Sequence, residues 1–223
     1  MATGIEKLIE KQREPISGVL HLIGAVLSIG ALVFLVTTAA ETGEIKKIYS
    51  VTIFGLSLIF AYIASTLYHL IYLAPKEKGI FRQIDQSMIY ILIAGTYTPI
   101  CLIALTGSWG WSLLSIVWSL TIIGVIIKIK NIPTADWLST TIYLLMGWMI
   151  LIVFPLLLET VPIVGIAWLV IGGIFYTTGT IFYGLDKVLP KKRKFWMHEI
   201  WHLFVMAGSF CHFWLVLKYI LPI

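Results

Sequence analysis

Ile16-Ser-Gly-Val-Leu-His-Leu-Ile-Gly-Ala-Val-Leu-Ser-Ile-Gly-Ala-Leu-Val-Phe-Leu-Val-Thr-Thr-Ala-Ala40 runs without a Lys, Arg, Asp or Glu. About 20 helical residues cross the roughly 30 Å of hydrocarbon in a bilayer, so this stretch is long enough to span one. Six further stretches follow it, giving spans near 16–40, 48–73, 85–106, 109–129, 137–158, 161–184 and 198–221. Inside lipid, a helix satisfies its backbone polar groups within its own segment, whereas an open extended segment cannot. The expected fold is therefore an all-α integral membrane bundle of seven transmembrane helices.

The rest of the composition agrees. Of 223 residues, 59% are hydrophobic and 12% charged, with a mean hydropathy of +0.96. That leaves too little polar surface for a soluble globule. Many of the nine tryptophans sit at the ends of apolar runs, as interfacial anchors do. The net charge of +5 resides between spans, which argues for membrane topology and against a nucleic-acid partner. Cys101 and Cys211 lie inside apolar runs without C-x-x-C spacing, so no disulfide framework is expected. Residues 1–15 form a short segment ahead of a single membrane domain, 16–223. They carry three basic and three acidic side chains and no separate apolar core, unlike a cleavable signal peptide. Ile5, Leu8 and Ile9 fit either a short interfacial helix or a frayed terminus. Only Gly107-Ser-Trp-Gly-Trp111 separates spans 3 and 4, and Glu159-Thr-Val-Pro162 separates spans 5 and 6, so these pairs should be antiparallel neighbours. Pro99, Pro133, Pro155 and Pro162 mark kinks or helix starts.

The last span opens with Trp196-Met-His-Glu-Ile-Trp-His-Leu-Phe204, which places His198 and His202 one helical turn apart on one face. Ionisable side chains inside a membrane are costly and generally functional. Counted at 1.5 Å per residue from the same membrane face, His21, His69, Asp85, His198 and His202 share one depth, with Asp85 opening helix 3. Three neutral imidazoles suit Zn²⁺, whose catalytic sites use three protein ligands and leave one position open. His69, His198 and His202 are the assigned ligands. Asp85 is the expected general base, and Ser65, four residues before His69 on the same face, is placed to orient water or a carbonyl oxygen.

Other readings stand beside these. A membrane histidine can simply bond a neighbouring helix, at about 0.6 kcal/mol on average. His21 is read as such a packing or supporting group. His212 lies ten residues beyond His202, about 15 Å along the axis, and is read as structural. His198-Glu-Ile-Trp-His202 matches the letters of the zinc-protease motif H-E-x-x-H, but Glu199 points about 100° off the ligand face, as a solvated interface residue would. On the residues alone, Asp85 and Glu199 remain rivals for the base. Asp136 reads as a helix N-cap. Asp186 and Lys191-Lys-Arg-Lys194 read as a solvated loop facing anionic lipid headgroups.

In order and spacing, these residues resemble the hemolysin III family, within the wider progestin and adiponectin receptor group. The carrying motifs are Glu14-Pro-Ile-Ser-Gly-Val-Leu-His21, Ser65-Thr-Leu-Tyr-His69, Phe81-Arg-Gln-Ile-Asp85, Ala94-Gly-Thr-Tyr-Thr-Pro99, His198-Glu-Ile-Trp-His202 and Phe210-Cys-His-Phe213. The similarity covers about residues 14–215, and its Ser, His, Asp and paired-His set is shared with alkaline ceramidases. The resemblance implies zinc on His69, His198 and His202, with Asp85 and Ser65 on the water side, and it selects Asp85 over Glu199. It also implies hydrolysis of lipid amides or esters in a multi-pass protein of the cell membrane, with membrane lipids as partners. The family name implies a competing reading, a pore-forming cytolysin, although no span carries the polar stripe of a water-filled pore. A non-enzymatic sensor of membrane lipid state, with zinc as a structural staple, is a third.

Alternate connections hold thirteen Lys and Arg on one side, against Lys46, Lys47 and Lys218 on the other. The positive-inside rule then puts the N-terminus in the cytoplasm, the C-terminus outside and the histidine layer near the cytoplasmic leaflet. Alkaline phosphatase fused after Ile223 should be active and a fluorescent protein fused there dark; the reverse pattern would invert the topology.

Overall fold

The computed structural model describes residues 14–72, 74–105, 107–190 and 195–223. Among the described residues, seven helices are long and apolar enough to cross a membrane. They are α1 (Pro15–Glu41), α2 (Ile45–Leu70), α3 (Pro75–Ala104), α4 (Ser108–Ile129), α5 (Asp136–Thr160), α6 (Ile163–Val188) and α7 (Met197–Ile220). Successive pairs α1–α2, α2–α3, α3–α4 and α6–α7 pack along their lengths, and α7 returns to pack against α1. The most enclosed is α3; α5 is the least, resting lightly on α3 and α6. Exposed Val26, Leu27, Phe34, Ile122, Ile123 and Ile181 form the lipid-facing surface.

Apolar contact distinguishes poorly between a helix and lipid tails, so close approach at small residues holds such bundles together. At Gly18 a Cβ would collide with Leu70 and lie 3.3 Å from His69 Cβ, so α1 lies directly on the end of α2.

The helix ends correct two expectations. α3 begins at Pro75, ten residues before the expected start, with the Glu77 carboxylate accepting the Ala74 N–H at 3.1 Å. Lys76, Lys78, Arg82 and Asp85 are therefore helical, and Asp85 lies well inside α3 rather than opening it. Likewise α6 runs on to Val188, so Asp186 and Lys187 are helical and not part of a loop. Charged side chains reach water from beyond the hydrocarbon edge, so a helix need not stop where its apolar run stops. The run Lys191–Lys194 and the pattern at residues 5–9 lie outside the described residues. Asp136 is the first helical residue, not the cap, which is Ala135. Its carboxylate instead accepts Lys187 Nζ at 2.6 Å and Arg82 at 3.3 Å, joining α3, α5 and α6. Cys101 and Cys211 are free and buried.

Pro99 lies inside α3, which widens into a π-helical turn over Ile100–Ala104. In α5, Pro155 supplies no N–H and crowds the carbonyl four residues earlier, and residues Met149–Val153 tighten into a 3₁₀ turn. Tyr97 of α3 repairs that break. Its hydroxyl accepts the Ile150 N–H at 2.8 Å and lies 2.8 Å from the Met146 and Gly147 carbonyl oxygens, to which it donates. Tyr97→Phe should cost about 1–3 kcal/mol, the desolvation penalty of a buried group left unpaired. A lowered thermal midpoint in detergent checks this, with the exposed Tyr49 changed to Phe as a neutral control.

Candidate metal centre

Two helices deliver three imidazoles to one point. His69 comes from the last turn of α2, and His198 and His202 from the first two turns of α7. Each offers a ring nitrogen, and these atoms all lie within 4.8 Å of one another, close enough to hold one metal ion. Ring centroids are 5.1 Å apart for His69–His198, 5.0 Å for His69–His202 and 4.7 Å for His198–His202. His69 and His202 are buried and His198 is partly so.

The hydrogen-bond inventory fits a cation. A buried imidazole nitrogen without a partner carries a desolvation cost, and His198 Nε2 and His202 Nε2 are two such atoms among the described residues. Meanwhile His202 Nδ1 lies 2.5 Å from His21 Nε2, and His69 Nδ1 lies 2.9 Å from Glu14 Oε2. His198 Nε2 also lies 3.7 Å from Glu14 Oε2, and His21 Nδ1 is a further unbonded ring nitrogen. Neutral imidazole suits Zn²⁺, Cu²⁺, Fe²⁺ and Ni²⁺, so the donor set accepts a transition metal without naming it.

The triad lines a cavity of about 360 Å³, within the range of small-ligand pockets. Asp85 and Ser65 line the same cavity. Arg82, Asp136 and Lys187 line one end, and apolar and aromatic groups that include Trp148, Tyr176 and His212 line the rest. In that second region Tyr62 and Tyr176 both bond the Ser209 hydroxyl, at 2.8 and 2.9 Å.

All of the expected residues, Ser65, His69, Asp85, His198 and His202, thus face one cavity. His212 lines the same cavity but is not in the triad: it bonds the Gly208 carbonyl at 2.8 Å and stacks on Tyr176. Glu199 is not solvated: it is 1% exposed, accepts the Trp196 N–H at 2.8 Å and reaches Ser17 Oγ at 3.5 Å. It completes the start of α7, where a helix lacks internal acceptors for its first N–H groups. The sequence motif assigns Glu14 no role of its own, and Asp186, 3.7 Å from His198 Nδ1, sits on helix α6 rather than in the expected loop.

The profile of the family described as haemolysin-III related matches residues 9–213. The chain belongs to the hemolysin III family. It is 42% identical over 211 residues to Hemolysin-3 of Bacillus cereus, covering 95% of this chain and 93% of that protein. It is 45% identical over 208 residues to the Hemolysin-3 homolog of Bacillus subtilis (strain 168), covering 93% and 94%. It is 27% identical over 172 residues to the human Monocyte to macrophage differentiation factor, covering 75% and 69%. With seven spans and this membership, the protein is a multi-pass membrane protein in contact with membrane lipids.

Elemental analysis of protein purified with metal available should find about one transition-metal ion per chain. His202→Ala should lose it, and His212→Ala, outside the triad, should keep it.

Proposed function

We propose that this hemolysin III protein is a zinc-dependent hydrolase of lipid amides or esters, with His69, His198 and His202 as metal ligands and Asp85 and Ser65 as catalytic groups. The observation that carries the reading is the pair of orphaned nitrogens, His198 Nε2 and His202 Nε2, beside His69 in a cavity that also holds Asp85 and Ser65. Three imidazoles favour four-coordinate zinc with one open position. The ion, when bound, supplies Lewis-acid polarisation of a carbonyl and acidification of water.

The chain's own residues do the remainder. Asp85 takes the proton of the attacking water as its oxygen bonds to the carbonyl carbon. Asp85 then returns that proton to the leaving nitrogen or oxygen as the C–N or C–O bond breaks, so atoms and charge balance. Ser65, which lines the same cavity, orients the water or the carbonyl oxygen. The apolar part of the cavity suits an acyl chain, and by the positive-inside count the reacting end faces the cytoplasmic leaflet.

A second reading draws on the name Hemolysin-3 borne by the Bacillus cereus relative: pore formation in target membranes. Asp85→Asn separates the two. A hydrolase should retain its zinc and lose about 10²–10⁴-fold in turnover of a lipid amide, the usual worth of general acid–base catalysis. Dye leakage from liposomes that is unaffected by Asp85→Asn, with no turnover by the wild type, would favour the cytolysin. Undiminished turnover in Asp85→Asn would end the role given to Asp85.

A further inference from the structure

Ser17 and His21 lie one turn apart on one face of α1, and Glu14 is the residue just before the helix. Each meets the metal-centre helices at a different point. Glu14 takes His69 Nδ1 at 2.9 Å, Ser17 reaches Glu199 at 3.5 Å, and His21 takes His202 Nδ1 at 2.5 Å. The close approach at Gly18 makes this possible, because a side chain there would hold α1 away from His69 and Leu70.

A neutral imidazole carries one N–H, and it can bind a metal only through the other nitrogen. Which nitrogen keeps the proton is set by the partner that receives it. The Glu14 carboxylate is acceptor-only when ionised, so the His69 proton sits on Nδ1 and Nε2 is left for the metal. For His202 the partner is another imidazole, and the outcome depends on that ring. If His21 carries its proton on Nδ1, its Nε2 accepts from His202 Nδ1–H and frees His202 Nε2. If His21 carries it on Nε2, the direction reverses, and His202 holds a proton on the very nitrogen that must ligate. His21 is fixed edge-on against Tyr62, with centroids 5.0 Å apart, which holds its ring at the required angle.

We infer that Glu14, Ser17 and His21 at the start of α1 are the supporting shell of the metal centre. In it Glu14 and His21 are positioning residues that set His69 and His202 to present Nε2, and Ser17 anchors the start of α7 through Glu199. This rests on the metal reading above and adds a function for α1, which supplies no ligand. It also predicts a specific histidine–histidine pair in which metal binding selects the Nδ1–H form of His21.

The test measures Zn²⁺ affinity of the purified chain in detergent, by competition with a chromophoric chelator, alongside the thermal melt of the metal-free protein. His21→Leu removes the acceptor and should weaken Zn²⁺ binding about 10–100-fold, the usual effect of losing such a partner, with the metal-free melt unchanged. His21→Gln keeps a carbonyl oxygen that can accept the His202 proton and should recover most of the loss. Glu14→Leu and Glu14→Gln should repeat that contrast through His69. They also decide the matter if His21→Leu fails to fold, since Glu14 sits at the helix start with its side chain 34% exposed. Wild-type affinity in the Leu variants overturns the inference. So does equal weakening in Leu and Gln variants with a lowered metal-free melt, which marks a packing role. A wild type that binds no Zn²⁺ at all fails the metal reading itself, and the inference falls with it.

Discussion

Hydrocarbon offers no water to a polar side chain, so an imidazole placed within the bundle must find its partner inside the protein. Four of the five histidines here answer that requirement at one place. His69 of α2 and His198 and His202 of α7 converge on each other, and His21 of α1 backs His202. The arrangement depends on how near α1 comes to α2 and α7, and toward α2 Gly18 permits that approach beside Leu70 and His69. The ring of helices closes around that contact, which makes the packing of the bundle and the geometry of the site one problem.

The same constraint explains the irregular parts of the fold. Where Pro155 breaks the backbone ladder of α5, the hydroxyl of Tyr97 from the enclosed helix α3 takes up the freed groups. Where α7 begins, Glu199 satisfies the start of the helix from within. Glu199 stands between the two α7 histidines in sequence and serves the backbone. The H-E-x-x-H letters therefore describe a helix start that carries two of the three clustered histidines, with Glu199 turned to the backbone. Asp136, joined to Arg82 and Lys187, ties three helices at the end of the cavity where charge can still meet water.

Much of this was legible in the sequence because it follows from length and period. Uncharged runs of membrane-spanning length gave the seven helices, and the i, i+4 spacing gave the His198–His202 face. The depth argument, applied to His69 and Asp85, brought residues from three helices to one layer. The helix ends were less legible, since an apolar run marks the hydrocarbon and not the helix. Hence α3 starts ten residues before its apolar portion, and Asp85 lies within it. The supporting contacts were illegible for a different reason. Whether Glu14 meets His69, or Glu199 is buried against Ser17, depends on which helices touch and at what rotation. No local pattern in one helix encodes that.

The placement of the clustered histidines in the chain has a consequence for how the protein is made. Helices α1 and α2 emerge from the ribosome early, carrying His21 and His69, while His198 and His202 arrive with the last membrane segment. Until α7 has inserted and docked beside α1, His69 has neither of its two companion rings and His21 faces no histidine. The polar face of α1 must wait, partnerless or temporarily paired, through the insertion of five intervening helices. Docking of α7 thus completes the histidine cluster and closes the ring of helices in a single late step of biogenesis.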